Sequence, residues 1–205
     1  TFPSPDDRGV GLGVSFRYFA DGVYDRGNSK TNLVEARAIV AEIVRRLTSE
    51  VESRWSIGVV TFNSSQQHLI EDLLEDECRT RPDLRKWFSD EVPESVFVKN
   101  LENVQGDERD VILFSICYGP DAARKPTMNF GPINQAGGER RLNVAITRAR
   151  REVIVFSSIR ETDIDLNRSN KTGVEHLKTF LDYADRGPRA ILEAASPTGL
   201  DTDSP

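Results

Sequence analysis

"RRLNVAITRARREVIVF", residues 140–156, changes character part-way along. In its first part the apolar residues recur at a helical period, and at about 100° per residue Leu142, Ala145, Ile146 and Ala149 fall on one stripe. Arg141 and Arg148 border that stripe on one side, and Asn143 and Arg150 border it on the other. This pattern predicts an amphipathic helix over 137–150 whose flanking polar side chains are held by packing and point along a seam. The continuation "REVIVFSSI" (151–159) is an uninterrupted apolar run, as expected of a strand buried on both faces.

The same alternation extends upstream. "VSFRYFA" (14–20), "IGVVTF" (57–62), "SVFVKN" (95–100) and "DVILFSICY" (110–118) read as strands. Between them, 32–47 predicts a helix burying Leu33, Ala36, Val40, Ile43 and Leu47, and 64–78 predicts one burying Leu69, Ile70, Leu73 and Leu74. Asn32, with Glu35 three residues on, forms a capping pair for the first. A last helix is predicted over 173–184. Continuous Val/Ile/Phe runs between helices predict an α/β fold, a mainly parallel sheet with helices on both faces. The expected organisation is a linker at 1–13, one domain at 14–187 and a Pro/Ser/Thr/Asp-containing tail at 188–205. The Gly- and Pro-rich connection 119–138 is too long for a tight turn, which predicts a functional or mobile loop.

Composition narrows the partners. The 205 residues carry a formal charge of −6, which opposes a nucleic-acid coat over the whole surface but permits a local basic strip. Two cysteines, Cys78 and Cys117, stand far apart without a metal-binding pattern, which favours a reducing, cytoplasmic setting and no bound metal. No run of about 18 apolar residues predicts a membrane span. "GVYDRGNSKT" (22–31) has glycines at phosphate-loop spacing but places Asn28 where lysine is required, and "GVGLG" (9–13) precedes a strand where a dinucleotide fingerprint would follow one. His68 and His176 read as surface or satisfied histidines. The acids Glu102, Asp107, Glu108 and Asp110 are weak grounds for a metal nuclease, since no second acidic cluster accompanies them.

Three segments, "IGVVTFNSSQ" (57–66), "VKNLENVQGDERDVILFS" (98–115) and "RRLNVAITRARREVIVF" (140–156), resemble motifs IV, V and VI of superfamily 1 helicases in order and spacing. The resemblance is nearest to the branch that contains the nonsense-mediated-decay helicases, and it extends over residues 14–185. The wording of 97–115, with "MNFGPIN" (128–134), is similar to very large bacterial helicases that often carry a nuclease-like domain. Phe62-Asn63 departs from the usual Pro-Tyr of motif IV, and Glu102-Asn103 from the Asp-Ser of motif V.

The resemblance implies the second RecA-like motor domain, a P-loop NTPase fold lacking the P-loop itself. It implies that Gln105, Gly106 and Glu108 face the nucleotide, with Glu108 toward ribose, and that Arg148 reaches the γ-phosphate. It also implies nucleic-acid contacts at Thr61, Gln66, Lys99 and Asn100. The expected ligands are ATP with Mg2+, bound mainly by a first RecA-like domain of the same polypeptide, and single-stranded DNA or RNA, with 5′ to 3′ translocation. Thr61, Gln105 and Arg148 are expected along one cleft outside the carboxyl ends of the strands. With Met128 as the only methionine and no Walker motifs, the chain is expected to be an excised motor domain, inactive alone. The competing reading is a non-catalytic nucleic-acid-binding or scaffolding module that kept the helicase fold.

Overall fold

Strands β1 (Gly13–Tyr18), β2 (Ile57–Thr61), β3 (Phe97–Asn100), β4 (Arg109–Ser115) and β5 (Ala149–Ser157) form one sheet in the computed structural model of the chain, which describes residues 13–190. The strand order is β1-β5-β4-β2-β3, and every neighbouring pair is parallel. Val59 of β2 lies opposite Val98 on one side and Leu113 on the other. The expected α/β architecture is therefore present, in the RecA-like form.

The inner strands β2, β4 and β5 are largely apolar because both faces are covered, whereas the edge strands β1 and β3 are only partly buried and carry polar residues. Helices α1 (Leu33–Leu47) and α2 (Ser64–Thr80) pack on one face against Val59, Leu113, Ile154 and Phe156. Helices α3 (Gly138–Ile146) and α4 (Thr172–Arg186) pack on the other, against Val60, Ile112, Phe114 and Val155. Side chains alternate between these two cores along each strand.

Some predicted positions shift. Leu33 is 42% exposed, because helix α1 begins there and the neighbouring Asn32 turns inward, while Ile39 is fully buried. On α2, Ile70 and Leu74 are buried, but Leu69 and Leu73 are only partly covered, and Gln66 and Cys78 complete the inner face. Residues 188–190, the first of the expected tail, form a helical turn with Ala190 buried. The rest of that tail, 191–205, and the linker residues 1–12 with most of "GVGLG" lie outside the described residues.

The long connection 119–138 is folded against the domain. Phe130 and Ile133 are fully buried, and Asn134 closes the segment through bonds to Phe130 N and Met128 O. The Ile133 carbonyl enters between the first turns of α3 and α4. A Cβ on Gly138 or Gly173 would lie 2.1 or 2.2 Å from that oxygen, so both helix starts require glycine.

Helix α1 is fastened at both ends. At its start, Asn32 caps the helix by accepting from Glu35 N, and the Glu35 carboxylate is fully buried at the carboxyl ends of the strands. Its Oε1 accepts from Asn32 Nδ2 and Ser158 Oγ, and its Oε2 accepts from Ser115 Oγ and the Cys117 amide at 2.7 Å. Gln66 of α2 joins the node, accepting from Asn32 N and donating to Asn32 O and Ser115 Oγ. At the far end of α1, buried Arg46 bridges Glu42 at 2.6 Å and Glu152 of β5 at 2.7 Å.

Burial lifts the Glu35 carboxyl from 4.5 to about 7, even though its hydrogen bonds favour the charged form. The folded state thus retains a proton that the unfolded chain releases near pH 4.5. Its contribution to stability falls as pH rises from about 4.5 to about 7 and is level above that window. Glu42 and Glu94, both held near 2 against hydrogen-bonding arginines, act in the opposite sense and only as pH falls below 4.5. The thermal midpoint of the protein should therefore decline between pH 5 and pH 7. In Glu35→Gln, whose amide cannot titrate, that decline should disappear, and a parallel decline in both proteins would exclude Glu35 as its source.

Candidate nucleotide and nucleic-acid sites

The stretch around Arg148 does not form one continuous helix. Helix α3 ends at Ile146, Thr147 is its C-cap, and Ala149 and Arg150 already belong to β5, with Ala149 opposite Arg109. Arg109 N donates to Arg148 O, which draws the chain onto the start of β4. The expected helix over 137–150, with one border of Arg141 and Arg148 and another of Asn143 and Arg150, is corrected accordingly. Ala149 is buried as predicted, but as a strand residue. Arg141 donates to Pro132 O and Ala136 O on the neighbouring loop, away from Arg148.

The Arg148 side chain folds back over the end of its own helix. Its Nε donates to Val144 O at 3.0 Å, and Nη2 donates to Thr147 Oγ1 at 3.2 Å. The negative end of a helix attracts a cation in this way. Nη1 lies 3.6 Å from Glu108 Oε1, and the Glu108 side chain is 53% exposed against 20% for Arg148. Residues 101–108 carry the chain from the carboxyl end of β3 to the amino end of β4, anchored by buried Leu101 and Val104. Gln105 and Gly106 are exposed on this crossing, and Gly106 has a φ of +93°, which glycine adopts without strain.

The other expected contacts lie at the opposite edge. Thr61 ends β2 and is fully buried, its hydroxyl donating to Asn63 O. Gln66 is also fully buried, held in the Glu35 node. Neither side chain presents a polar atom to solvent, and both lie beneath the start of α2. Asn100, at the end of β3, accepts from Glu102 N and donates to Gln67 Oε1. Lys99 is partly exposed, and its ammonium lies 2.6 Å from Asp107. A single cleft containing Thr61, Gln105 and Arg148 is therefore not formed. Thr61 and Asn100 lie at the carboxyl edge of the sheet, whereas Arg148 and Glu108 meet at its amino edge.

The acidic cluster is divided among cations. Asp107 pairs with Lys99, Glu108 faces Arg148, and Asp110 pairs with Arg150. Among the described residues no three metal-ligating side chains converge, and no helix is long and apolar enough to cross a membrane.

The AAA domain family matches residues 19–160. This chain belongs to that family. It is 39% identical over 170 residues to an uncharacterized ATP-dependent helicase, the MG140 homolog of Mycoplasma pneumoniae, covering 80% of this chain and 14% of that protein. The corresponding Mycoplasma genitalium helicase, MG140, is 38% identical over 169 residues, again 80% of this chain and 14% of the relative. The mouse 5′-3′ DNA helicase ZGRF1 is 30% identical over 135 residues, 66% of this chain and 6% of that protein. These similarities make the AAA domain a helicase domain of superfamily 1, and it spans a small part of each relative.

Within this AAA domain, Arg150 has a structural setting that its sequence position does not reveal. Its guanidinium grips Glu94 through Nη1 at 2.6 Å and Nη2 at 2.5 Å, and it also meets Asp110 at 3.1 Å and Ser56 Oγ at 3.0 Å. Glu94 and Ser56 are 56 and 94 residues away in sequence, so no local pattern announces them. The hydrogen-bonding Arg150 holds the Glu94 carboxyl down to about 2. Arg150→Ala should destabilise the fold by about 1 kcal/mol, the scale of a partly exposed ion-pair network with two-pronged geometry. Urea unfolding measures this, and a midpoint unchanged from wild type would show that the network contributes nothing.

Proposed function

We propose that this domain is the second motor domain of an ATP-dependent helicase. In this reading it closes on a first RecA-like domain of the same polypeptide and moves along single-stranded nucleic acid. The observation that carries the reading is the partly exposed Glu108–Arg148 pair, 3.6 Å apart, beside Gln105 and Gly106 on the segment that links β3 to β4. Four residues singled out by their resemblance to helicase motifs thus belong to one short segment and the helix end beside it.

The proposed role of each follows from its chemistry. ATP supplies a transferable γ-phosphoryl group, and Mg2+ accompanies it, bound mainly by the first motor domain. Glu108 accepts hydrogen bonds from ribose hydroxyls. Gly106 lets the backbone approach the nucleotide closely, and Gln105 orients the reacting end. Arg148 leaves the carbonyls of α3 and offers a planar, permanently charged fork to the phosphate oxygens. Its present partners favour such a transfer: two are neutral oxygens, and the third is a half-exposed carboxylate at 3.6 Å. Phosphoryl transfer depends chiefly on charge placed at those oxygens, and an interaction strengthened in the transition state raises turnover more than binding.

In the intact polypeptide, Arg148→Ala should lower the rate of ATP hydrolysis by about 10³, the low end for loss of an arginine finger, with nucleotide affinity nearly unchanged. Arg148→Lys should recover little of the rate, because an ammonium lacks the two-pronged geometry. Steady-state hydrolysis and equilibrium binding of a fluorescent nucleotide separate the two effects. Undiminished hydrolysis in Arg148→Ala would contradict the assignment of Arg148, and an intact wild-type polypeptide without ATP hydrolysis would favour a scaffold that kept the fold.

A further inference from the structure

The motif residues at the carboxyl edge leave little free positive charge: Lys99 is paired with Asp107, and Thr61 and Gln66 are buried. Two loops at that edge differ. Residues 20–31 follow β1, and residues 116–127 follow β4, so both emerge where the parallel strands end.

These loops are tied into one body. Tyr24 N donates to Pro120 O at 2.9 Å, and the rings of Tyr24 and Tyr118 stack edge to face with centroids 5.0 Å apart. Arg124 Nη2 donates to Ala20 O at 2.6 Å and Nη1 to Gly22 O, while Arg26 Nη2 reaches Lys125 O. Lys30 O in turn accepts from Asn63 Nδ2, the N-cap residue of α2, which connects the platform to the middle of the sheet edge.

The platform presents four cations: Arg26, Lys30, Arg124 and Lys125. All four residues are exposed. Lys30 and Lys125 make no ion pair or side-chain hydrogen bond among the described residues, and Arg124 donates only to neutral carbonyls, which leaves its charge uncompensated. Three acids accompany them: Asp21 and Asp25 are exposed and Asp121 is partly exposed, so the cations exceed the acids by one. Asp25 accepts from Ser29 N and Oγ, and Asp121 accepts from Ala123 N and Lys125 N, although Asp121 also approaches Arg26 at 3.9 Å. Lys30 and Arg124 both hold a left-handed backbone, with φ of +58° and +60°. Such conformations in residues other than glycine collect at ligand sites.

We infer that the platform formed by loops 20–31 and 116–127 is a phosphate-contact site for single-stranded nucleic acid, with Lys30 and Lys125 as its principal cations. The inference rests on the helicase reading above and adds to it a site outside the three motifs. Strands at 4.8 Å spacing place β1 and β3 about 19 Å apart, so a strand leaving Asn100 would cross the start of α2 and reach Lys30 and then Lys125. Preordered loops reduce the entropy lost when a phosphate is captured.

The test is a salt titration of binding between the intact polypeptide and a fluorescein-labelled oligothymidylate, followed by anisotropy. Each phosphate contact to a single strand contributes about 0.7 to the slope of log K against log salt. The double variant Lys30→Gln/Lys125→Gln should lose about 1.4 from that slope, and each single variant about 0.7, with the single variants retained as the measurement if the pair impairs folding. Lys86→Ala, on the 3-10 segment Pro82–Phe88, should leave the slope unaltered. Wild-type binding with equal slopes in all variants would overturn the platform site and leave the helicase reading standing. Failure of the wild-type protein to bind any single strand would overturn both.

Discussion

The buried Glu35 carboxylate organises the carboxyl edge of this domain. Around it the starts of α1 and α2 and the ends of β4 and β5 are joined through polar groups. A carboxylate in that position is tolerated because four donors meet its two oxygens. The donors are just as dependent on it, since a buried amide or hydroxyl without an acceptor loses hydration with nothing in exchange. The Cys117 amide illustrates this: it belongs to a residue with φ of +65°, and Glu35 Oε2 fixes the turn by which the chain leaves β4. Both loops of the cationic platform depart from this pinned edge.

The amino edge is organised differently, by charges close to the surface. Arg150 clamps Glu94 and Asp110, Arg109 donates to Ser95 O, and Arg148 rests against Glu108. Exposed ion pairs exchange partners at little free-energy cost, whereas the buried node cannot. One domain thus combines a fixed carboxyl edge, suited to tracking a polymer, with an amino edge whose arginine can be redeployed. The proposed motor function uses both properties.

Much of the fold was legible in the chain because a sheet covered on both faces requires continuous apolar strands. "IGVVTF" and "REVIVF" therefore reveal themselves without any tertiary information. The end of α3 was not legible. Ala149 fits a helical stripe and a buried strand equally well, and the pairing with Arg109 that decides the matter comes from 40 residues upstream. Asn32 and Glu35 were readable as a cap, but the burial of Glu35 depends on Ser115, Cys117 and Ser158, which only the folded topology brings near. The motif resemblance located Glu108 and Arg148 together, and it could not distinguish polar residues that face solvent from those, like Thr61 and Gln66, that support the surface from beneath. Charge pairing was equally hidden: Lys99 and Lys30 look alike in sequence, yet one is neutralised by Asp107 and the other is not.

In the proposed motor, nucleotide and nucleic acid act on opposite edges of one sheet. Hydrogen–deuterium exchange on the intact polypeptide, with a non-hydrolysable ATP analogue and with a single strand added separately, tests it most directly. The analogue should slow exchange in 101–108 and 144–150, and the strand should slow it in 20–31, 63–67 and 120–126. Protection of the same segments by both ligands would contradict it.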